Sequence, residues 1–260
     1  MIPKPFAART ASLGLVLIAG HALAMVPVLA VDFRVENRVY SGSQTQPDLH
    51  STTIFAGRNV YDFLEDPAEV TVFEPTAQHY ILLDFSRRVR TELSTGEVDS
   101  FVGEIQQYAV RHKDPAVRFL GDPKFEEKFD SKTSDLMLAS ERMSYRARLL
   151  AVGPEVAQQY RAYSDAQTRL NTVLNPGSRP PQARIWLNEA IVRHQAMAKE
   201  VQLTLKLKSG SATKSVTVRS QHELALALTP DDNDRVVKAR EAMQSFTLVS
   251  FTAYAKNGSH

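Results

Sequence analysis

The chain has 7 histidines and no cysteine, so imidazole is the first side chain to examine for metal binding and acid–base chemistry. Metal ligands on one helix or strand lie about two to four positions apart. No two histidines have that spacing; they are His21, His50, His79, His112, His194, His222 and His260. The sequence therefore predicts no metal site and no cofactor, and we interpret these residues as ordinary structural or surface histidines.

A run of acidic residues at 231–234 has the composition of a calcium-binding loop. The glycine that such a loop requires is absent, and Arg235 stands where an acid is expected. Thr229 and Pro230 precede the run and are typical of the first turn of a helix, where acidic side chains stabilise the helix dipole. We therefore interpret these carboxylates as charges at the start of a helix.

Nucleophile motifs are also missing from the sequence. Serines are numerous, but none lies in a G-x-S-x-G pattern, and the 11 glycines form no phosphate-binding loop. The sequence therefore predicts that the protein is not an enzyme. A hydrolase whose catalytic residues meet only in the folded chain stays open as an alternative.

Basic residues cluster locally at Arg87, Arg88 and Arg90. On a strand, Arg88 and Arg90 would share one face and Arg87 would take the other. This arrangement suits an anionic head group at the rim of a sheet, and we take Arg88 as the candidate ligand-binding residue. A solvated edge strand that uses charge against aggregation also explains the cluster, and we favour that interpretation.

The single tryptophan, Trp186, lies in an amphipathic helical segment that leads into a strongly alternating strand. Such a helix can act as a lid over a cavity, which makes Trp186 a second candidate for ligand binding. It can also pack on a sheet as part of the core, and that reading requires no ligand.

Residues 1–30 have the order of a secretory signal peptide. Lys4 and Arg9 are their only charged residues, an apolar run begins at Leu13, and small residues lead to Ala30. We predict cleavage after Ala30 and export to the periplasm or cell envelope, with an uncleaved membrane anchor as the alternative. The remaining chain has no second apolar run long enough to span a membrane.

The composition of residues 31–260 indicates an ordinary globular domain. The chain is 43% hydrophobic and 23% charged, which is sufficient for a packed core. Without Lys4 and Arg9, 29 of the 31 basic residues remain and balance the 29 acidic ones. Nucleic-acid binding normally requires a basic excess, so no nucleic-acid partner is predicted. We expect one domain at 31–260, with a linker or rigid loop at 175–181, and the oligomeric state stays open.

Four strands are predicted first, at 31–39, 51–63, 69–73 and 79–90, separated by turn residues. A helix over 97–110 follows, with Ser94 and Glu97 forming a capping box. Its apolar stripe is Val98, Phe101, Val102, Ile105 and Ala109. One or two further strands are predicted over 125–129 and 136–138, and others at 143–149, 201–207, 213–228 and 246–255. Further helices begin near 154, 183 and 229.

This pattern predicts about nine strands and four helices, with the strands in runs rather than alternating with helices, which indicates an α+β fold. Strands that bury only one face must curl or be covered. We therefore predict a strongly curved antiparallel sheet, or half-barrel, with helices packed on its concave side.

The segment 57–84, GRNVYDFLEDPAEVTVFEPTAQHYILLD, resembles the central β-meander of the periplasmic lipoprotein carriers, the LolA-like proteins. The resemblance covers about a quarter of the chain. It implies a half-open barrel whose apolar concave face shelters acyl chains and is covered by helices. The carriers begin with a long helix, however, whereas a strand is predicted at Val31.

The resemblance implies that the helix over 97–110 covers the ligand space, with Phe101 and Ile105 bordering it. Its candidate ligand-binding residues are then Phe101, Ile105, Arg88 and Trp186. The function predicted is non-enzymatic binding of a lipid or of a lipoprotein acyl chain. The alternative is a structural or protein-interaction module of the envelope without a small ligand.

Overall fold

The computed structural model describes residues 31–175, 177–209 and 212–256. The predicted signal peptide at 1–30 lies outside the described residues. The described chain forms twelve strands: β1 Phe33–Ser41, β2 Leu49–Ala56, β3 Asn59–Leu64, β4 Glu69–Glu74, β5 His79–Asp84, β6 Val89–Ser94, β7 Glu126–Asp130, β8 Asp135–Ala139, β9 Met143–Ala151, β10 Ala196–Ser209, β11 Ala212–Ala225 and β12 Thr247–Leu248. Its six helices are α1 Thr95–Arg111, α2 Pro115–Gly121, α3 Pro154–Leu174, α4 Gln182–Arg193, α5 Pro230–Ser245 and α6 Phe251–Lys256.

All described strands belong to one sheet in the order β12-β6-β5-β4-β3-β2-β1-β11-β10-β9-β8-β7. The pairs are antiparallel except for β12 with β6, which is parallel. Within the described residues, the sheet is not closed into a barrel, because its end strands β12 and β7 do not pair. The fold is thus of the predicted α+β class.

Two of the predicted strands are in fact hairpins. The strand predicted over 51–63 reverses at Gly57, whose φ of +63° suits glycine, and becomes β2 and β3. The strand predicted over 79–90 becomes β5 and β6, because Asp84 accepts a hydrogen bond from the Arg87 amide and closes a turn. Arg88 lies in this turn with a φ of +54°, so the predicted shared strand face of Arg88 and Arg90 is wrong.

The strand predicted at 246–255 is also wrong. Only the two residues of β12 pair as a strand within this segment, and α6 follows, with the Ser250 hydroxyl accepting a hydrogen bond from the Ala253 amide. The helix α2 was not predicted. Asp114 caps it, with its carboxylate accepting a hydrogen bond from the Ala116 amide.

The helix starts that carry capping signals are confirmed. Ser94 and Glu97 form the predicted capping box of α1. Thr229 and Asp232 form a second capping box at α5, so the acidic run at 231–234 begins a helix as interpreted.

Helices pack on both faces of the sheet, whereas the sequence predicted them on one. Phe55 points to α3 and contacts Tyr163, whereas the adjacent Ile54 belongs to the core formed with α5, which includes Val236. The helix α4 covers β8 to β10 around Leu187. Among the described residues, no helix is long and apolar enough to cross a membrane.

Candidate functional site

A row of polar side chains crosses the centre of the sheet on the face that α3 covers. Asn37 on β1 pairs in register with Ser51 on β2 and with His222 on β11. Thr53 on β2 pairs with Asp62 on β3. Because side chains alternate along a strand, these residues replace the apolar side chains that face α3 elsewhere in the same strands, such as Phe33 and Phe55.

These side chains form a directed chain of hydrogen bonds. The Ser220 hydroxyl donates to His222 Nε2 at 3.0 Å, and His222 Nδ1 donates to Asn37 Oδ1 at 2.8 Å. Asn37 Nδ2 then donates to Thr53 Oγ1 at 2.9 Å, and the Thr53 hydroxyl donates to Asp62 Oδ1 at 2.6 Å. We assign the His222 proton to Nδ1, because in this tautomer Nδ1 donates to Asn37 and Nε2 accepts from Ser220. Every donor points toward Asp62, which therefore ends a polarised chain.

His222 is held neutral in this chain. Burial, together with the positive charge of Arg184, lowers the pKa of His222 to about 3. The Tyr160 hydroxyl of α3 lies 3.4 Å from Nδ1 of the same ring. His222 therefore links Ser220 to Asn37 at neutral pH as an uncharged group.

Asp62 is the acidic end of the row. Burial raises the pKa of Asp62, and hydrogen bonds from Thr53 and Ser51, with a weaker contribution from the Tyr163 hydroxyl, partly offset this effect. Both hydroxyls donate to Oδ1, at 2.6 Å and 3.2 Å. Among the described residues, Oδ2 accepts no hydrogen bond of standard geometry, and Asp62 lines a cavity beneath α3. The carboxylate thus keeps acceptor capacity for another group.

Tyr160, Tyr163 and Gln167 present one face of α3 to this polar row, because they lie three and four positions apart. The Tyr163 hydroxyl is buried beside Asp62 and Thr53. It has no hydrogen-bond partner of standard geometry among the described residues, and neither has Oε1 of Gln167. Burial, followed by the Asp62 charge, raises the pKa of Tyr163 well above its ordinary value. The Tyr163 hydroxyl therefore keeps its proton at neutral pH and can donate a hydrogen bond.

The cavity between α3 and the sheet, here called the α3 groove, has a volume of about 810 Å³. This lies within the usual range for sites that bind small molecules. Its floor is the polar row from His222 to Asp62. Aliphatic side chains also line it: Val39, Leu49, Leu64 and Leu174. The groove thus combines a polar floor with aliphatic lining.

Arg184 on α4 lies at the junction of the α3 groove and a second cavity of about 430 Å³ that Ser220 also lines. Its Nε donates to Asn188 Oδ1 at 3.0 Å, and Asn188 donates to Asp165 at 2.8 Å. Its terminal nitrogens have no hydrogen-bond or ion-pair partner among the described residues. Arg184 therefore carries a positive charge next to the neutral His222.

Ser220 and His222 meet within hydrogen-bond distance, as the alternative of a spatially assembled hydrolase requires. Two features make them weak catalysts. The lowered pKa of His222 leaves a poor general base at neutral pH. Ser220 lies in the middle of a strand that pairs on both sides, with Val39 and Val201, so no loop or helix start presents free backbone amides for an oxyanion there.

The four side chains predicted to bind a ligand lie elsewhere. Phe101 is exposed on α1, and Ile105 is half-buried on the same helix. The Arg88 guanidinium lies 5.3 Å from the centre of the Phe246 ring. Trp186 packs against Phe125 and lines a separate cavity of about 450 Å³. None of the four lines the α3 groove, and their role in ligand binding stays a prediction.

The residues of the α3 groove were missed in the sequence, although each strand carries a signal. Asn37 follows Phe33 and Val35 at the spacing of one strand face, and Asp62 follows Val60 in the same way. A polar residue in an inward position of three neighbouring strands marks a site rather than a core. These polar positions are recognisable as one site only from the pairing of the strands, which lines them up across the sheet.

Metal binding has little support in the described part of the chain. No group of three or more His, Asp or Glu side chains there is arranged to hold an ion. That no metal contributes to stability stays a prediction.

Comparison with known proteins finds similarity among solved structures only. No family model and no curated protein matches the chain. The solved structure of a LolA superfamily protein from Nitrosomonas europaea is similar over 79% of this chain and 89% of that chain, with 8% sequence identity and a TM-score of 0.28. At that identity and TM-score, we base the function on the geometry of the α3 groove itself.

Proposed function

We propose that this protein binds a small amphipathic molecule in the α3 groove. The observation that carries the proposal is a cavity of about 810 Å³ that combines a polar floor with aliphatic lining. The polar end of the ligand lies against Asp62. Its alkyl or acyl chain lies along Leu49, Leu64 and Leu174.

Both parts of this surface contribute to binding. Each CH₂ group moved from water into the aliphatic part stabilises the complex by about 0.8 kcal/mol. The polar end supplies the hydrogen bond that Asp62 Oδ2 has capacity to accept. A purely apolar ligand would remove the water that hydrogen-bonds to Asp62 and would put no donor in its place, which is costly. An amphipathic ligand therefore suits this groove better than a plain hydrocarbon.

The same proposal includes a non-enzymatic role in the cell envelope. The neutral, low-pKa His222 supports binding rather than catalysis. The signal-peptide pattern at 1–30 supports export to the periplasm or envelope. A lipid, or the acyl chain of a lipoprotein, is the ligand class that this location would offer.

A protein-interaction module without a small ligand is the second candidate. It is supported by exposed apolar side chains on α1, where Phe101 is 39% and Tyr108 66% exposed. These residues lie seven positions apart, on one helix face. A shared exposed face of this kind is typical of a contact surface.

Titration of the purified full chain with dodecanol, followed by calorimetry, tests the proposed ligand class. We expect one site with a dissociation constant in the micromolar range. Thr71→Trp places a large ring in the groove from a half-buried strand position and should abolish binding.

Thr204→Trp is the matched control for this titration. Thr204 is also a half-buried strand threonine, but it alternates with Leu203 and Leu205, which face α4, so it points to the opposite face of the sheet. Binding should survive in this variant. No binding by the wild type, or equal loss in both variants, would contradict the proposed function.

A further inference from the structure

Two acceptor atoms at the polar base of the α3 groove have capacity for another donor. Asp62 Oδ2 accepts no hydrogen bond of standard geometry among the described residues, and the same holds for Gln167 Oε1. The Tyr163 hydroxyl, on a residue that is only 6% exposed, interacts with Asp62 but makes no hydrogen bond of standard geometry among the described residues. An ionised carboxylate and an amide oxygen can only accept hydrogen bonds. A ligand that brings N–H or O–H donors is therefore complementary to these two atoms.

The acidic side chains that line the groove outnumber the basic ones. Asp62 and Asp66 line it, whereas Arg184 is the single Lys or Arg among its described lining residues. His222 is neutral because burial lowers its pKa. The charge of Asp62 therefore favours a cation next to it and repels an anion.

Two aromatic rings lie near Asp62. Tyr160 and Tyr163 from α3 line the groove on that side. The faces of such rings attract cations, most strongly where water is excluded. Carboxylate, amide oxygen and aromatic rings together form the set that recognises an organic ammonium group.

We infer that the polar end of the ligand is a protonated amine, whose N–H groups donate to Asp62 and Gln167 from within the groove. This inference rests on the proposed function and specifies its ligand. An ammonium group offers three donors and a positive charge, whereas a hydroxyl offers one donor and no charge. The ammonium also gives the buried Asp62 carboxylate a counter-charge in direct contact.

Head-group selectivity tests the inference in the full-length protein. Dodecylamine, dodecanol and dodecanoate share one chain and differ only at the polar end. We expect the wild type to bind dodecylamine at pH 7 about 10-fold more tightly than dodecanol, and dodecanoate most weakly.

Asp62→Asn separates charge recognition from burial of the chain. The asparagine side chain keeps an oxygen that accepts hydrogen bonds from Ser51 and Thr53 but loses the negative charge. The substitution should remove the preference for dodecylamine over dodecanol, because it weakens binding of the ammonium group more than binding of the hydroxyl. Gln167→Leu, at a half-buried position on α3, provides an independent test and should weaken amine binding alone.

The outcomes distinguish this inference from the proposed function. Equal binding of all three ligands, or tightest binding of dodecanoate, would overturn the ammonium inference and leave groove binding intact. Failure of all three to bind would overturn the proposed function itself. If Asp62→Asn does not fold, the order of the three wild-type affinities and the effect of Gln167→Leu still decide the matter.

A second titration distinguishes a free alkylamine from a phospholipid as the source of the ammonium group. A lysophosphatidylethanolamine carries the same amine together with a phosphate, which the terminal nitrogens of Arg184 can bind. Tighter binding of this lipid than of dodecylamine, lost in Arg184→Gln, would assign the ligand as a phospholipid. Tighter binding of dodecylamine would assign it as a free alkylamine, and both results support an ammonium head group.

Discussion

The Thr53 hydroxyl donates a 2.6 Å hydrogen bond to Asp62 Oδ1 across the pair of strands β2 and β3. This contact fixes one oxygen of the carboxylate and leaves the other with capacity to accept a bond from the α3 groove. It also joins Asp62 to a chain of donors that begins at Ser220, on the far side of β1. The acid is thus held by the sheet rather than by a loop, in a position that a ligand can reach.

Asp62→Asn should raise the stability of the protein at neutral pH without ligand. Because the pKa of Asp62 is raised in the folded state, the folded protein binds the proton more tightly than the unfolded chain. Stability is therefore lost as the pH rises above the ordinary pKa of 3.8. The asparagine variant avoids this loss, so its melting temperature at pH 7 should be higher than that of the wild type by a few degrees. A lower melting temperature would show that the carboxylate stabilises the fold.

His222→Gln should reduce the acid sensitivity of the fold. The pKa of His222 falls from 6.5 to about 3 on folding, so the unfolded chain binds the proton first as the pH falls. The stability that the buried neutral imidazole contributes is fully present above about pH 6.5 and is lost toward about pH 3. At about 1.4 kcal/mol per pKa unit, the wild type should lose about 3 kcal/mol from this group between pH 7 and pH 4.

Urea denaturation at both pH values measures this effect, because the glutamine variant lacks the titrating group. Its free energy of unfolding should fall correspondingly less between pH 7 and pH 4. Equal losses in the two proteins would contradict the burial of a neutral imidazole.

Phe101→Ala should leave both the fold and alkyl binding unchanged. Phe101 is 39% exposed on α1 and does not line the α3 groove. Substitutions at such surface positions usually alter stability by less than about 0.5 kcal/mol. Calorimetric titration with dodecanol measures the effect on binding. A clear loss of affinity would indicate that the ligand binds at α1, as the resemblance implies.

Ser220→Ala should not change the rate at which the protein hydrolyses p-nitrophenyl butyrate. The Ser220–His222 contact has the geometry of a nucleophile and its base, but the lowered pKa of His222 disfavours proton abstraction. We expect both proteins to give the same background rate at pH 7. A wild-type rate that exceeds the variant's by about 100-fold or more would support a hydrolase instead.

Local signals in the sequence predicted the helix starts well. The capping boxes at Ser94 and Thr229 act within one turn of chain, and both are confirmed. The hairpin closed by Asp84 was missed because the turn residues, FSRR, contain neither glycine nor proline. Its reversal depends on a side-chain hydrogen bond that no alternation pattern reports.

The candidate site depended on contacts that are distant in sequence. His222 and Asn37 are 185 positions apart and meet only because β11 pairs with β1. Nothing in the alternation of either strand specifies that partner. Asn37, Thr53 and Asp62 each interrupt an apolar strand face, but the sequence cannot show that the three interruptions line up across the sheet.

Mass spectrometry of small molecules that co-purify with the full chain from a bacterial envelope tests the central claim most directly. Wild-type protein should carry an alkyl or acyl amphiphile at about one molecule per chain, and the Thr204→Trp variant should carry the same molecule. Thr71→Trp, which fills the α3 groove, should carry none. An equal load on all three proteins, or no amphiphile on the wild type, would contradict a ligand-binding role for the α3 groove.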